Sequence, residues 1–535
     1  MNIPGARRIE PFKDKEGSPG FIVIDAVGDI NILKTQDYSQ LNEQDKKTLD
    51  LQANAALQWR LPLEPDMSKF SAIREEIIRD GVKPGKEWEA YDEYVRNILT
   101  PLSGRIQRFL NTFCYFEDER IYPLLSSFVI SSYFKEQFEK MPLILIDGVS
   151  GSGKSTVLAA LSEVCYRGFS TSNYSTASLV DMVEYHDVTI LLDESLRNIN
   201  SERGTDLNTL LINSFDKKTA VYTRKDLDLG RPTVKRHFTP IAVTRLGGEI
   251  PEDMRNRAAM INMTLPDENI DLEDIGYIND AGLNYECHPD SIRTDLFSLK
   301  LMTESDRIRK IEDPALMRGI VFDNLRQTTK RYLEHKDPDS GRYLYGIVYG
   351  ISYTPKITGR DKAIAYVHHA IGLATGDDSD IISYIISNRE SIFDHKTETT
   401  ESVLMMALSD LIYDRHIELF PPMKGQPMNI SGKEICRICN KISLPDIYKK
   451  YGDLRRLEGW NDKEIESARS LSQTFRKLRI PYEERGGRTN YLNAFRDEFI
   501  QKFKKAAAQY LDPERASIYQ GIEPFSASPL QKEGE

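Results

Sequence analysis

Over the middle of the chain, short continuous apolar runs that end in polar or glycine-rich turns alternate with stretches of helical period. Leu143-Ile-Leu-Ile146 stops at Asp147 and Gly148, and Thr156-Val-Leu-Ala-Ala-Leu-Ser-Glu-Val164 follows with apolar residues at helical spacing. Val188-Thr-Ile-Leu-Leu192 ends in Asp193 and Glu194, and Phe238-Thr-Pro-Ile-Ala-Val243 ends in Thr244. A short helix over 250–257 then leads into a last strand that reaches Met263. Strand, helix, strand, helix in this order predicts a parallel sheet covered by helices, an α/β fold. Just upstream, residues 122–134 are apolar nearly all round, which predicts a buried helix beside the first strand.

The flanks read differently. Residues 1–100 mix short apolar runs with charged helical stretches and form a mixed α/β region whose role the pattern does not disclose. Residues 101–265 hold the sheet. Helices over 291–300, 314–332, 361–373, 380–386 and 401–417 predict a helical lid or linker within 266–428. Residues 429–511 predict a compact helical unit that closes on a turn rich in Arg and Gly. The tail, 512–535, is polar and contains proline, and is expected to be disordered.

Composition narrows the class. At 535 residues the chain needs several cores, and its net charge of −11 excludes a uniformly basic nucleic-acid coat, so any DNA contact must come from local patches. No apolar run approaches the ~20 residues of a membrane span, and the first residues lack the apolar core of a secretory signal. Five scattered cysteines suit a reducing, cytoplasmic compartment. Cys436-Arg-Ile-Cys439 has no second ligand pair nearby, so two helix residues are favoured over a zinc site.

The chemistry starts at residues 148–155, Gly-Val-Ser-Gly-Ser-Gly-Lys-Ser, a complete phosphate loop between a strand and a helix. Backbone N–H groups of Gly148, Val149, Ser150, Gly151, Ser152, Gly153, Lys154, Ser155 and Thr156 would cradle a nucleotide's phosphates. Lys154 would neutralise the β/γ-phosphates, and the Ser155 hydroxyl would hold Mg²⁺. Asp193, 39 residues beyond Lys154, would also hold Mg²⁺, and Glu194 would orient and deprotonate the attacking water. Thr244, at the same edge of a parallel sheet, would reach the γ-phosphate side. The helix over 250–257 presents Arg255 and Arg257, of which Arg257 is favoured to stabilise the phosphoryl charge on a neighbouring subunit. A local ion pair to Glu252 or Asp253 is the plainer alternative.

The order of phosphate loop, Asp-Glu strand, polar-ended strand and arginine helix resembles an AAA+ ATPase. The strings Phe138-Glu-Lys-Met-Pro-Leu-Ile-Leu-Ile-Asp-Gly148, Thr176-Ala-Ser-Leu-Val-Asp-Met182 and Pro251-Glu-Asp-Met-Arg-Asn-Arg257 look closest to helicase-like ATPases of phages, plasmids and other prokaryotic mobile elements. These are relatives of superfamily-three and MCM-type helicases. The resemblance covers about 122–265 and the lid loosely. It implies an AAA+ P-loop sheet with a helical lid, ATP with Mg²⁺, and a ring-shaped homo-oligomer, a hexamer, that works in replication of a mobile element. It also implies a second sensor arginine at Arg360. A fused primase is not expected, since no primase acids stand upstream. An ABC-type ATPase is disfavoured, since no Leu-Ser-Gly-Gly-Gln string follows the loop.

Two basic patches point to DNA. Two β-prone runs over 219–238 flank a Gly-containing turn and predict a hairpin. In helicase-like relatives a hairpin here projects into the ring's pore, which makes Lys225, Arg231, Lys235 and Arg236 candidates for gripping phosphates. A merely solvated hairpin laced with aspartates is the alternative. From Lys433 to Lys505 there are 18 Lys/Arg against 11 Asp/Glu, a net +7. Helix, helix and basic β-turn is the layout of a winged helix-turn-helix, with Arg485 and Arg488 set to meet phosphates. A protein-binding winged helix is its alternative. The leading reading is an ATP-dependent translocase of single-stranded or forked DNA, with other replication proteins as further partners. The rival is a non-helicase ATPase switch that docks DNA or a partner through its winged helix, and a small-molecule kinase is a weaker third.

Overall fold

The computed structural model describes residues 8–33, 60–68, 87–149, 151–193, 202–225, 232–245, 252–265, 272–312, 323–338, 340, 342–349, 359–397, 400–419, 432–457, 480, 482–485, 489–492, 499–511 and 519. Contacts divide the chain into two compact units, 1–388 and 389–535.

In the first unit, β1 (Arg8–Lys13), β2 (Pro19–Ile24) and β3 (Ile30–Leu33) form an antiparallel sheet. Each of its turns is closed by an aspartate that accepts two backbone N–H groups: Asp14 from Glu16 and Ser18, and Asp25 from Val27 and Asp29. Phe12, Ile22 and Ile24 belong to the same apolar core as the central sheet and the lid helices. The β1–β3 sheet is therefore continuous with that core.

The central sheet is made of β4 (Leu143–Gly148), β5 (Gly168–Thr171), β6 (Thr189–Leu192), β9 (Ile241–Thr244) and β10 (Ala258–Met263). They run parallel in the order β10-β4-β9-β6-β5. β6 and β9 are buried at every position, which is why they read as continuous apolar runs rather than alternating ones. The expected hairpin is β7 (Val221–Lys225) and β8 (Pro232–Arg236), an antiparallel pair of its own.

The helix Ile121–Tyr133 is buried along its whole length. Its serines survive there because Ser127, Ser131 and Ser132 return their hydroxyls to the carbonyls of Leu124, Phe128 and Val129. The lid helices are longer than the apolar period suggests. They span Pro289–Glu312, Asp323–Glu334, Leu344–Val348, Gly359–Thr375 and Asp378–Thr397. Polar residues past Ile386 end the apolar pattern but not the backbone, since Arg389, Glu390 and Lys396 are good helix formers. The first half of the helix expected over 314–332 lies outside the described residues.

Two histidines on the Gly359–Thr375 helix are buried. His369 Nδ1 is 3.0 Å from Thr329 Oγ1, and its Nε2 is 2.7 Å from the Tyr349 hydroxyl, which donates to Asp378 Oδ2 at 2.6 Å. His368 Nδ1 is 2.7 Å from Ser127 Oγ. Burial pushes the imidazoles down to about 3 for His368 and about 4 for His369, with Asp378 opposing the second shift. The unfolded chain takes up these protons near pH ~6.5 while the folded chain resists them, so stability present above that pH is lost as pH falls toward about 4. The slope is on the order of 1 kcal/mol per pH unit for each histidine. Thermal melts between about pH 7.5 and 5 should show a falling midpoint, and His369→Gln should flatten the fall; an unchanged slope in that variant would count against the assignment.

The second unit has its own core. The helix Thr400–Leu419 supplies Val403, Leu404, Leu408 and Ile412 to it, together with residues from the helices Gly432–Cys439, Leu444–Leu457 and Phe499–Tyr510. The helix read as the end of the lid thus packs with the C-terminal unit. β11 (Tyr482–Arg485) and β12 (Thr489–Leu492) pair antiparallel, and Leu492 N–H donates to Ile442 O at 3.0 Å. Residues 464–478, which read as the second helix of the winged helix-turn-helix layout, lie outside the described residues. Tyr519, in the tail whose composition predicts disorder, is 2% exposed; its ring stands edge-on to Phe503 and its hydroxyl is 2.8 Å from Ser409 Oγ.

Candidate functional site

β4 delivers the phosphate loop to one edge of the sheet. Gly148, Gly151 and Gly153 all take positive φ values of 156°, 83° and 86°. At Gly148 a side chain is excluded by contact as well, since a Cβ would lie 2.5 Å from Met263 O and 2.8 Å from Ser152 Oγ. Gly153 precedes the helix Lys154–Val164 without any side-chain cap. The first-turn N–H groups at Lys154, Ser155 and Thr156 are therefore left for an anion.

Lys154 is 6% exposed, and its ammonium donates to Gly148 O and Val149 O at 2.7 Å each. Those bonds fold the loop back onto its own lysine and leave one ammonium N–H for a phosphate oxygen. Among the described residues Ser152 Oγ is buried without a hydrogen-bond partner, the kind of orphan that a ligand resolves. Ser155 is exposed at the start of the helix, where its hydroxyl is open to a metal ion. The loop's donor set thus fits a polyphosphate with its cation. Ser150 and Glu194 lie outside the described residues.

Parallel register brings the remaining residues to the same edge. Ile146 stands opposite Thr244 and Leu192 opposite Val243, so Asp193 falls beside Thr244. There the Thr244 hydroxyl donates to Asp193 Oδ1 at 2.6 Å. Thr244 is fully buried, so this bond fixes the carboxylate's orientation.

Arg257 sits elsewhere. Its carbonyl accepts from Leu143 N–H at the start of β4, five strand positions away from Gly148. At about 3.3 Å per residue this is about 17 Å from the loop of its own chain. Its guanidinium donates to Asp253 O at 2.7 Å and to Asp253 Oδ1 at 3.3 Å, the local pairing that was the plainer alternative. Arg255 closes the short helix Glu252–Arg255, at the same far edge. Arg360 lies in the Gly359–Thr375 helix, with its side chain outside the described residues.

The hairpin's basic residues separate. Lys235 donates to Asp181 Oδ1 at 2.6 Å and lies 5.0 Å from the Tyr185 ring centroid, and the Asp181 hydrogen bond raises its pKa. The Arg236 backbone N–H donates to Glu184 Oε2 at 2.6 Å, and its side chain is exposed. Asp181, Glu184 and Tyr185 share one face of the helix Thr176–His186, and that i, i+3, i+4 spacing was the signal available for this docking. The side chains of Lys225 and Arg485, and the whole of Arg231 and Arg488, lie outside the described residues.

One residue at the edge escaped the sequence reading. Arg245, directly after Thr244, is 4% exposed and its Nη1 is 3.8 Å from Asp147 Oδ2. A cation placed one position beyond a polar-ended strand was the available cue.

No protein-family model matches the chain, and no curated protein does. Among solved structures it is similar to a chain described as an SCCmec type IV Cch active helicase, at 14% identity over 93% of this chain and 95% of that one, with a TM-score of 0.28. A superposition that loose leaves the functional reading to this chain's own geometry. Among the described residues no helix is long and apolar enough to cross a membrane.

Proposed function

We propose that the chain is an ATP-dependent DNA translocase of the AAA+ helicase kind, working as a ring-shaped oligomer in replication of a mobile element. The observation that carries this reading is the Thr244–Asp193 hydrogen bond of 2.6 Å at the same sheet edge as the uncapped phosphate-loop helix. It joins a γ-phosphate sensor to a metal-side acid. Lys154 neutralises the β/γ-phosphates, Glu194 takes the proton of the attacking water, and Thr244 holds Asp193 in line. The Ser155 hydroxyl and Asp193 would hold Mg²⁺, which would supply charge neutralisation of the phosphates. Arg257, about 17 Å from its own loop by strand geometry, acts on the nucleotide of the next subunit or not at all. The hairpin and the C-terminal unit, with Arg485 and Arg488, meet DNA. The strings that resemble those of mobile-element helicases support the replication role, and the net +7 of residues 433–505 supports DNA as a partner.

One observation favours the rival, an ATPase switch that does not translocate. Lys235 is committed to Asp181 within its own chain, and a lysine held this way grips no phosphate until the pair opens. Turnover with and without forked DNA separates the two. For a translocase, DNA raises the rate severalfold, and Lys235→Ala combined with Arg236→Ala removes the stimulation while basal hydrolysis persists. A rate indifferent to DNA in the unmodified protein favours the switch.

A further inference from the structure

Asp147 is an unexpected residue for its position. It puts a carboxylate one residue ahead of a loop whose donors are arranged for a polyanion, and its Oδ1 accepts from the Gly148 N–H at 2.9 Å, so the charge lies at the entrance of the loop. Gly148 O in turn receives the Lys154 ammonium at 2.7 Å. An unbalanced carboxylate there would repel the phosphates that Lys154 attracts.

Arg245 supplies the balance from the neighbouring strand. Its backbone N–H extends the ladder of β9 onto Ile146 O at 3.0 Å, which seats the residue beside Asp147. Its guanidinium is 4% exposed, against 32% for the Asp147 side chain. An always-charged group buried this deeply cannot swing into solvent, so its charge is a permanent part of the edge.

We propose that Arg245 is a positioning residue that neutralises Asp147 and thereby sets the affinity of the phosphate loop for nucleoside triphosphate. This role rests on the nucleotide-binding reading above and extends it. Thr244 and Arg245 then act as adjacent links, one to Asp193 and one to Asp147, so that β9 ties the metal side of the site to the entrance of the loop. Because Asp147 and the triphosphate are both negative, removing Arg245 weakens binding, and removing the Asp147 charge as well restores it.

The test is titration of a fluorescent, slowly hydrolysed ATP analogue with Mg²⁺ onto the full chain. Arg245→Met is expected to weaken binding about tenfold, or about 1.4 kcal/mol. Asp147→Asn is expected to bind as tightly as the unmodified protein or up to about threefold tighter, and the double variant to return to within about threefold of it. Arg245→Lys, which keeps the charge, stays within about threefold as well. A double variant as weak as Arg245→Met, or an Arg245→Met protein with unchanged affinity, overturns the proposal. Should Arg245→Met not fold, Arg245→Gln with and without Asp147→Asn carries the same comparison. Loss of packing alone would not be reversed by Asp147→Asn. Failure of the unmodified protein to bind the analogue overturns the nucleotide reading itself, whereas binding without rescue overturns only the role of Arg245.

Discussion

Lys154→Ala should lower ATP turnover by on the order of 10³-fold or more, the scale of removing a cation from a transferring phosphoryl group. Arg257→Ala should lower it similarly while leaving nucleotide binding intact, because Arg257 lies at the opposite edge of its own sheet, beside the start of β4. The decisive measurement is a mixture of the two. If each site combines the Lys154 loop of one subunit with Arg257 of the next, random assembly leaves about a quarter of interfaces with both groups, and phosphate release should recover toward that fraction. Mixed oligomers that stay inactive, with assembly confirmed by size, would refute an arginine acting between subunits. The Asp253 pairing of 2.7 and 3.3 Å would then leave Arg257 a role within its own subunit, as a helix-end tie.

Glu10→Ala should be among the most destabilising single substitutions in the chain. The Glu10 carboxylate is 2% exposed and accepts from the Tyr166 hydroxyl at 2.8 and 2.7 Å and from Arg167 Nη2 at 2.8 Å. Arg167 is itself buried, and its Nη1 donates to His186 O at 2.6 Å. Removing the carboxylate takes the 2.8 Å ion pair away from a buried guanidinium and the acceptor away from the Tyr166 hydroxyl, a loss of about 3–5 kcal/mol. Calorimetry should show a midpoint several degrees lower, whereas Lys15→Ala, on the exposed first turn, should change it by about a degree or less. A Glu10→Ala protein melting with the unmodified one would mean that the N-terminal sheet is not held to the core through this cluster. Glu10→Gln keeps the shape and an acceptor for Tyr166, so it should fall between the two.

Much of this could be read locally. The runs at Leu143, Val188 and Phe238, and the turns that end them, are set by side chains within a few residues, and β4, β6 and β9 form where those runs lie. The hairpin was legible for the same reason, since Tyr222 and Lys235 pair across strands that lie close together in the sequence. What local pattern could not convey was the partner of a charge. Lys235 read as a candidate DNA contact, and what the pattern did not convey is its bond to Asp181, 54 residues earlier. Tyr519 read as tail, yet it anchors on Phe503 and Ser409. The N-terminal strands read as a separate region, yet Glu10 meets Tyr166 and Arg167 across more than 150 residues.

By itself, then, the sequence determined the phosphate loop and the strands that carry Asp193 and Thr244, because glycine φ preferences and apolar periodicity act over one or two turns of chain. Only the tertiary structure decided which of those strand ends touch. The order β10-β4-β9-β6-β5 sets Thr244 against Asp193, Arg245 against Asp147, and Arg257 at the far edge. Strand order and register follow from how the buried faces of distant segments pack against one another, and no window of sequence contains that information.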